Sequence, residues 1–268
     1  MKEILDRIKN NKPLIHHITN NVTINDCANI TSYWGGLPVM THNPREVEQM
    51  VSSADALVLN IGGLNLPEPE ETLIKAGKKA NKLNIPVVFD PVGAGATSFR
   101  TELSLKLMKE VDLAVIKGNV GEITVLSGGR AQMRGVEAIG DYNNLGRDAC
   151  HLAGKEEAVV VVSGDEDLVT DGEEIYYIKN GHPLLGRVVG TGCMLGSTVA
   201  VFCSVEANYL KAALTATAAY GIAGEKAAKE VKFPASFKIE FMDTVSSLDD
   251  EDLNANKKIK KILEKEMK

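Results

Sequence analysis

Short apolar runs alternate with stretches of helical periodicity along most of this chain, and turn-forming residues separate them. Pro13–Ile18 reads as a short apolar strand, and Val22–Trp34 as a helix stopped by Gly35-Gly36. Leu37–Met40 is the next strand, after which Asn43-Pro44 opens a helix, with Asn as cap and Pro in the first turn. Ala56–Ile61 reads as an apolar strand, Glu68–Leu83 as an amphipathic helix and Pro86–Asp90 as another strand. Arg100–Glu110 is predicted helical, Leu113–Ile116 extended, and Val120–Ser127 helical up to Gly128-Gly129. Asp141–Ala153 reads as a helix, and Ala158–Val162, apolar throughout, as a strand buried on both faces. Beyond it the signal changes. Asp171-Gly172 and Asn180-Gly181 predict hairpin turns, with antiparallel strands around Tyr176 and Leu184 at a sheet edge. Apolar, alanine-rich helices follow from Cys193 to Lys229, and then a polar C-terminal helix.

Repeated βαβ units with right-handed crossovers make a mostly parallel sheet with helices on both faces, an α/β fold whose ligands bind at the carboxyl ends of the strands. No repeat, low-complexity tract or linker divides the sequence, so residues 1–268 read as one domain.

Composition narrows the partners. Of the 268 residues 44% are hydrophobic and 25% charged, as in ordinary soluble domains, and the net charge of −6 opposes binding to nucleic acid or anionic membranes. Lys257–Lys268 alternates with Glu and reads as a solvated helix face. The first residues lack a signal-peptide core, and no segment approaches the roughly 20 apolar residues that span a bilayer. Cys27, Cys150, Cys193 and Cys203 lack metal-type spacing, which points to free thiols in a reducing cytoplasm; the first two and Cys203 sit in apolar helical patterns as core residues.

Candidate chemistry falls just after the predicted strands. Gly190-Thr191-Gly192-Cys193 runs into an apolar helix, Met194–Val205, so unpaired N–H groups gather at the positive end of a helix dipole, with a thiol in the first turn. A phosphate suits that place; a tight helix-on-strand contact also accounts for the glycines. Asp90-Pro91-Val92-Gly93-Ala94-Gly95 fails both the dinucleotide fingerprint and the P-loop, which leaves a strand-end carboxylate beside a flexible loop, or a carboxylate that caps the turn. In Lys117-Gly118-Asn119-Val120-Gly121-Glu122, Asn119 and Glu122 make a capping box, Glu122 can also hold a water of Mg²⁺, and Lys117 offers a point charge to a phosphate. Ser163-Gly164-Asp165 reads as a phosphate or ribose contact or as a turn. His16 and His17 point to opposite faces of a strand, so the pair does not share a metal, and Asn20-Asn21 reads as a substrate or interface loop or as a cap. No Gly-x-Ser-x-Gly elbow supports a hydrolase.

These segments, together with Ile18-Thr19-Asn20-Asn21-Val22, Pro38-Val39-Met40 and Ala56–Gly62, resemble the hydroxyethylthiazole kinase family of the ribokinase-like superfamily along nearly the whole chain. Cys193 marks the thiazole branch, since most ribokinase-like enzymes carry Asp there. The resemblance implies a three-layer αβα sandwich with a mostly parallel central sheet, helices on both faces and no separate lid domain. It implies ATP-dependent phosphorylation of the alcohol of 4-methyl-5-(2-hydroxyethyl)thiazole in thiamine salvage, by a homotrimer with active sites between subunits. On that resemblance Met40, Gly190 and Asn20 contact the thiazole, Lys117, Ser163 and Asn119 the nucleotide, and Asp90 and Glu122 organise Mg²⁺ through waters. Gly190, Gly192 and Cys193 form the catalytic turn, Cys193 orienting the alcohol and assisting proton removal late. Some relatives carry Arg at the position of Lys117. Rival readings are a kinase of hydroxymethylpyrimidine or pyridoxal, a repair dehydratase on the same scaffold, and a non-catalytic nucleotide-binding regulator.

Overall fold

The computed structural model describes residues 4–63, 69–129, 132–134, 137–139 and 144–262. In chain order these form α1 (Ile4–Asn11), β1 (Leu14–Ile18), α2 (Ile24–Trp34), β2 (Leu37–Met40), α3 (Val47–Val51), β3 (Ala56–Asn60), α4 (Pro69–Lys82), β4 (Val87–Asp90), α5 (Ser98–Glu110), β5 (Val115–Asn119) and α6 (Val120–Leu126). Then come β6 (Gln132–Arg134), β7 (Glu137–Ile139), α7 (Leu145–Glu156), β8 (Val159–Ser163), β9 (Asp167–Thr170), β10 (Ile175–Ile178), a 3₁₀ turn (Leu185–Arg187), α8 (Thr191–Cys203), α9 (Tyr209–Glu230), α10 (Pro234–Ser247), α11 (Asp250–Asn256) and β11 (Ile259–Ile262).

Nine strands form one sheet in the order β11-β10-β9-β8-β5-β4-β3-β1-β2. From β2 to β8 the neighbours are parallel, and β9, β10 and β11 add antiparallel pairings. Alternation of side chains across the pleat then divides the core in two. Val58, Val88, Val115 and Val161 face a layer that includes Trp34, Phe202, Phe237 and Phe241, while Leu57, Leu59, Phe89, Ile116 and Val160 face a layer built around Leu73, Leu103, Leu107, Ile123 and Leu152. The expected three-layer α/β arrangement is therefore the observed one.

Helix α2 is anchored to α8 by Trp34, whose Nε1 donates to Thr198 Oγ1 at 2.9 Å and whose ring meets Phe202 edge-on at 5.4 Å. Trp34→Phe removes the donor and part of the buried volume; the expected loss is about 2 kcal/mol in urea denaturation, with kcat unchanged within about twofold.

Several expectations are corrected. Asp171-Gly172 does turn β9 into β10, but Asn180-Gly181 makes no hairpin and the chain around Leu184 is no strand. Glu225 Oε1 takes both Asn180 Nδ2, at 3.2 Å, and Gly181 N, at 3.1 Å, which directs the chain over α9. The free edge of β10 goes instead to β11, so Ile259–Ile262 is a strand where a solvated helix face is expected; Lys261 pairs with Glu174, and a Lys/Glu segment has no apolar face to bury as a helix. The remainder of that segment, residues 263–268, lies outside the described residues, as do Glu68 and Asp141, the expected starts of two helices. Asn43 organises a turn by accepting from Arg45 N, and the helix itself begins only at Val47. Ile4–Asn11, a segment with no sequence expectation, forms α1 because Ile4, Leu5 and Ile8 share one buried face.

Candidate active site

Because β1 to β5 and β8 run parallel, their polar ends come out along one edge. Crossing the sheet, Ser163 ends β8, Asn119 ends β5, Asp90 ends β4, Asn60 ends β3, Asn20 follows β1 and Met40 ends β2. The N-terminus of α8 faces this row. Gly190, its N-cap, has φ +95° and no side-chain cap, and the first helical bond runs from Met194 N to Gly190 O at 2.8 Å. The N–H groups of Thr191, Gly192 and Cys193 precede that bond and lie at the positive end of the helix. A Cβ on Gly192 would sit 3.3 Å from Lys117 Nζ, and one on Gly196 3.5 Å from Asp90 Oδ2, so the first turns of α8 pack directly on both charges.

Asp90 and Lys117 are buried and face each other at 3.6 Å between Oδ1 and Nζ. Asp90 Oδ2 accepts from Asn60 Nδ2 at 2.8 Å, whereas Oδ1 has no hydrogen-bond partner. Burial raises the Asp90 carboxyl above its ordinary range, with Lys117 and Asn60 opposing. Burial alone would lower Lys117, but Asp90, Glu122 and Cys193 outweigh it and keep the ammonium charged.

Glu122 and Asn119 form the expected capping box: Asn119 Oδ1 accepts from Glu122 N at 2.9 Å, and Glu122 Oε2 from Asn119 N at 2.8 Å. Glu122 Oε1 also accepts from Gly93 N at 2.8 Å, which ties the loop after β4 to α6. Burial first, and Asp90 second, push its carboxyl up to about 7, against Lys117 and the two amides. The sign of the consequence is fixed. A carboxyl that holds its proton more tightly folded than unfolded makes stability fall as pH rises from its unfolded value, about 4.5, to about 7, since in that window only the folded chain keeps the proton. Glu122→Gln lacks this linkage, so its stability relative to the unmodified protein rises by about 3 kcal/mol between pH 4.5 and 7.5 in urea melts. A difference that stays constant across the range contradicts this.

Asn20, 3% exposed, accepts at Oδ1 from Val22 N and Thr23 N, both at 3.0 Å, and its Nδ2 donates to Asn60 Oδ1 at 3.1 Å and to Cys193 Sγ at 3.4 Å. The Cys193 thiol is raised by burial and then by Asp90, so the helix N-terminus does not make it a resting thiolate. Ser163 Oγ donates to the Gly118 carbonyl at 3.3 Å, and Ser163 lies in register with Asn119. Met40, in register with His17, and Ser163 thus stand at the two flanks of the row, and no hydrogen bond joins either to the Asp90 cluster. His16 and His17 are structural: His16 Nε2 meets the Thr41 carbonyl at 2.8 Å, and His17, pushed down to about 4 by burial, meets the Ile15 carbonyl and Thr31 Oγ1. Among the described residues no three of His, Cys, Asp and Glu cluster as a metal-binding group.

Sequence reasoning passed over Asn60, which links Asn20 to Asp90, and Asp167, whose Oδ1 accepts from Gly164 N at 3.0 Å and whose carboxyl burial pushes up to about 7. The available signal for Asn60 was a lone amide closing an apolar strand.

The sequence pattern of the Hydroxyethylthiazole kinase family matches residues 5–251. The chain belongs to that family. A hydroxyethylthiazole kinase of Thermoanaerobacter pseudethanolicus is 53% identical over 260 residues, covering 96% of this chain and 98% of the relative, and one of Methanocella arvoryzae is 45% identical over 257 residues, covering 96% of each. The solved structure of a hydroxyethylthiazole kinase protein from Pyrococcus horikoshii OT3 superposes with a TM-score of 0.88 at 37% identity, over 97% of this chain and 98% of that one. A Staphylococcus aureus pyridoxal kinase in complex with ADP matches with a TM-score of 0.60 at 16% identity, over 80% of this chain and 88% of its own, and shares the ribokinase-like fold. As a member of the hydroxyethylthiazole kinase family, the protein is a phosphotransferase.

Proposed function

We propose that the protein transfers the γ-phosphoryl group of ATP to the primary alcohol of 4-methyl-5-(2-hydroxyethyl)thiazole, releasing the thiazole phosphate and ADP, as a step of thiamine salvage. The observation that carries this reading is the buried Oδ1 of Asp90, which accepts no hydrogen bond although it lies beside Lys117 and against the first turns of α8. A carboxylate oxygen left without a donor in a buried site suits a cation or an attacking alcohol, and free N–H groups opposite suit the transferred phosphate.

Phosphoryl transfer passes through a loose transition state, so positioning and neutralisation of charge supply most of the rate. In this reading Met40, Gly190 and Asn20 seat the thiazole, and Lys117, Ser163 and Asn119 hold the nucleotide. The amides from Gly190 to Cys193 receive charge that develops on the transferring group. The orphaned oxygen of Asp90 and the carboxylate of Glu122 fit Mg²⁺ held through waters, since the ion binds one or two carboxylates and keeps part of its hydration. Bound there, Mg²⁺ would neutralise charge on the phosphate oxygens.

Cys193 acts as a neutral thiol that orients the alcohol, because burial and Asp90 hold its proton on. Cys193→Ala therefore costs about tenfold in kcat, less than the roughly 10²–10⁴-fold of a positioned general base, and Cys193→Asp stays active. A folded Cys193→Asp protein without turnover contradicts this placement.

We further propose a homotrimer with the site between subunits. Val22 and Val189, each 73% exposed, flank the contact of Thr23 with Gly190, and Phe233 and Ile239 are 76% and 67% exposed on and beside α10, which Lys238–Asp26 joins to α2. A second subunit covering these apolar side chains would close the thiazole side of the site. Four free cysteines fit a reducing cytoplasm, and no helix among the described residues is long and apolar enough to cross a membrane.

The test is ADP release with ATP and Mg²⁺, comparing hydroxyethylthiazole, hydroxymethylpyrimidine, pyridoxal and no acceptor. The proposal requires strong turnover with the thiazole alone; turnover with pyridoxal or the pyrimidine in its place discards the thiazole assignment.

A further inference from the structure

Asn60 closes β3 and is 1% exposed, the single polar side chain of an otherwise apolar strand. Its Oδ1 accepts from two donors, the Gly62 main-chain N–H at 3.0 Å and Asn20 Nδ2 at 3.1 Å. A main-chain N–H can only donate, so Gly62 decides which end of the Asn60 amide is the oxygen. The other end, Nδ2, is thereby turned to Asp90 Oδ2 at 2.8 Å. Asn20 is fixed in the same way: the amides of Val22 and Thr23 claim its oxygen, which leaves its Nδ2 for Asn60 and Cys193.

We propose that Asn60 is a positioning residue for phosphoryl transfer, which sets the Asp90 carboxylate and the Asn20 amide in one arrangement without touching substrate itself. This rests on the function proposed above. An ammonium is a point charge that imposes no orientation on a carboxylate, so a carboxylate held by Lys117 alone is free to turn and present either oxygen. Asn60 ties one oxygen with a neutral donor, so Lys117 stays 3.6 Å from the other, and both charges keep capacity for a third group. The same amide holds Asn20 against the Cys193 sulfur, so the carboxylate end and the thiol end of the site are aligned through one side chain.

Steady-state kinetics on Asn60→Ala, Asn60→Asp, Asp90→Asn and the double variant Asn60→Ala/Asp90→Asn test this. Asn60→Ala is expected to lower kcat about 30-fold, the worth of a buried hydrogen bond to a charged group, while the thiazole KM moves less than about threefold. Asn60→Asp keeps the shape and the acceptor for Gly62 and Asn20 but sets a second carboxyl oxygen against Asp90 Oδ2. With folding checked by thermal melts, it should be at least as slow as Asn60→Ala at about pH 8, where the like charges repel, and recover as pH falls and one proton bridges the two carboxyls. In the Asp90→Asn background, Asn60→Ala should cost clearly less than about 30-fold, because the part of its effect that runs through Asp90 is already lost and only the hold on Asn20 remains. Independent, multiplying losses, or an Asn60→Asp protein as fast as the unmodified one at about pH 8, overturn the assignment. Turnover of the unmodified protein with the thiazole checks the function reading separately, and variant-to-parent ratios are read with whichever acceptor is turned over.

Discussion

Asp90→Asn lowers kcat by about 10³-fold while the protein still unfolds cooperatively, a loss of the size expected when a central charged group leaves a phosphoryl-transfer site. The substitution preserves size. Asn60 Nδ2 still finds an oxygen at 2.8 Å, but the position of Oδ1 now carries an N–H donor directed at the Lys117 ammonium. The site thus loses the one buried carboxylate oxygen among the described side chains that accepts no hydrogen bond, and gains a donor where a cation or an alcohol proton needs an acceptor. Folding survives because Lys117 keeps Glu122 as a neighbouring carboxylate, so no isolated buried charge is created. Coupled measurement of ADP release, with thermal melts on the same samples, checks both halves; activity within about tenfold of the parent would remove Asp90 from the chemistry.

Gly190→Ala is expected to damage stability and turnover together. With φ at +95° the position lies where L residues are strained, at a cost of about 1–2 kcal/mol, and the new methyl would stand 2.7 Å from Thr23 Cγ2 and 3.6 Å from Asp26 Oδ2. Thr23 cannot yield freely, since its N–H is held by Asn20 Oδ1, and movement there is carried to the amide that touches Cys193. The sum is a loss of about 2–4 kcal/mol in urea denaturation and about 100-fold in kcat/KM, because sub-ångström displacement of a positioned group is costly in reactions that depend on alignment. An unstrained, fully active Gly190→Ala protein would mean that this turn does not hold the substrate side of the site.

Much of this was legible from residues alone, for identifiable reasons. Apolar runs such as Ala158–Val162 have no polar face to leave in water, so they had to be strands buried on both sides, and their polar ends had to emerge at one edge. The capping box at Asn119 and Glu122 is a local pattern and appears as read. What failed was what depends on distant partners. Asn180-Gly181 has the composition of a hairpin turn, yet Glu225, 45 positions away from Asn180, claims both residues. Ile259–Ile262 becomes a strand only because β10 offers an open edge. Asn60 looked like the tail of an apolar strand because its meaning lies in Asp90 and Asn20, which the chain brings from 30 positions ahead and 40 behind. The thiol of Cys193 illustrates a contest of magnitudes: the helix N-terminus favours the thiolate, but burial and the Asp90 charge prevail.

The most direct measurement is detection of the phosphate ester itself. Purified protein is incubated with ATP, Mg²⁺ and hydroxyethylthiazole, the products are weighed by mass spectrometry, and Asp90→Asn is run beside the parent. The account predicts one thiazole monophosphate for each ADP formed by the parent and next to none from the folded variant. ADP without thiazole phosphate, or equal yields from both proteins, would contradict it.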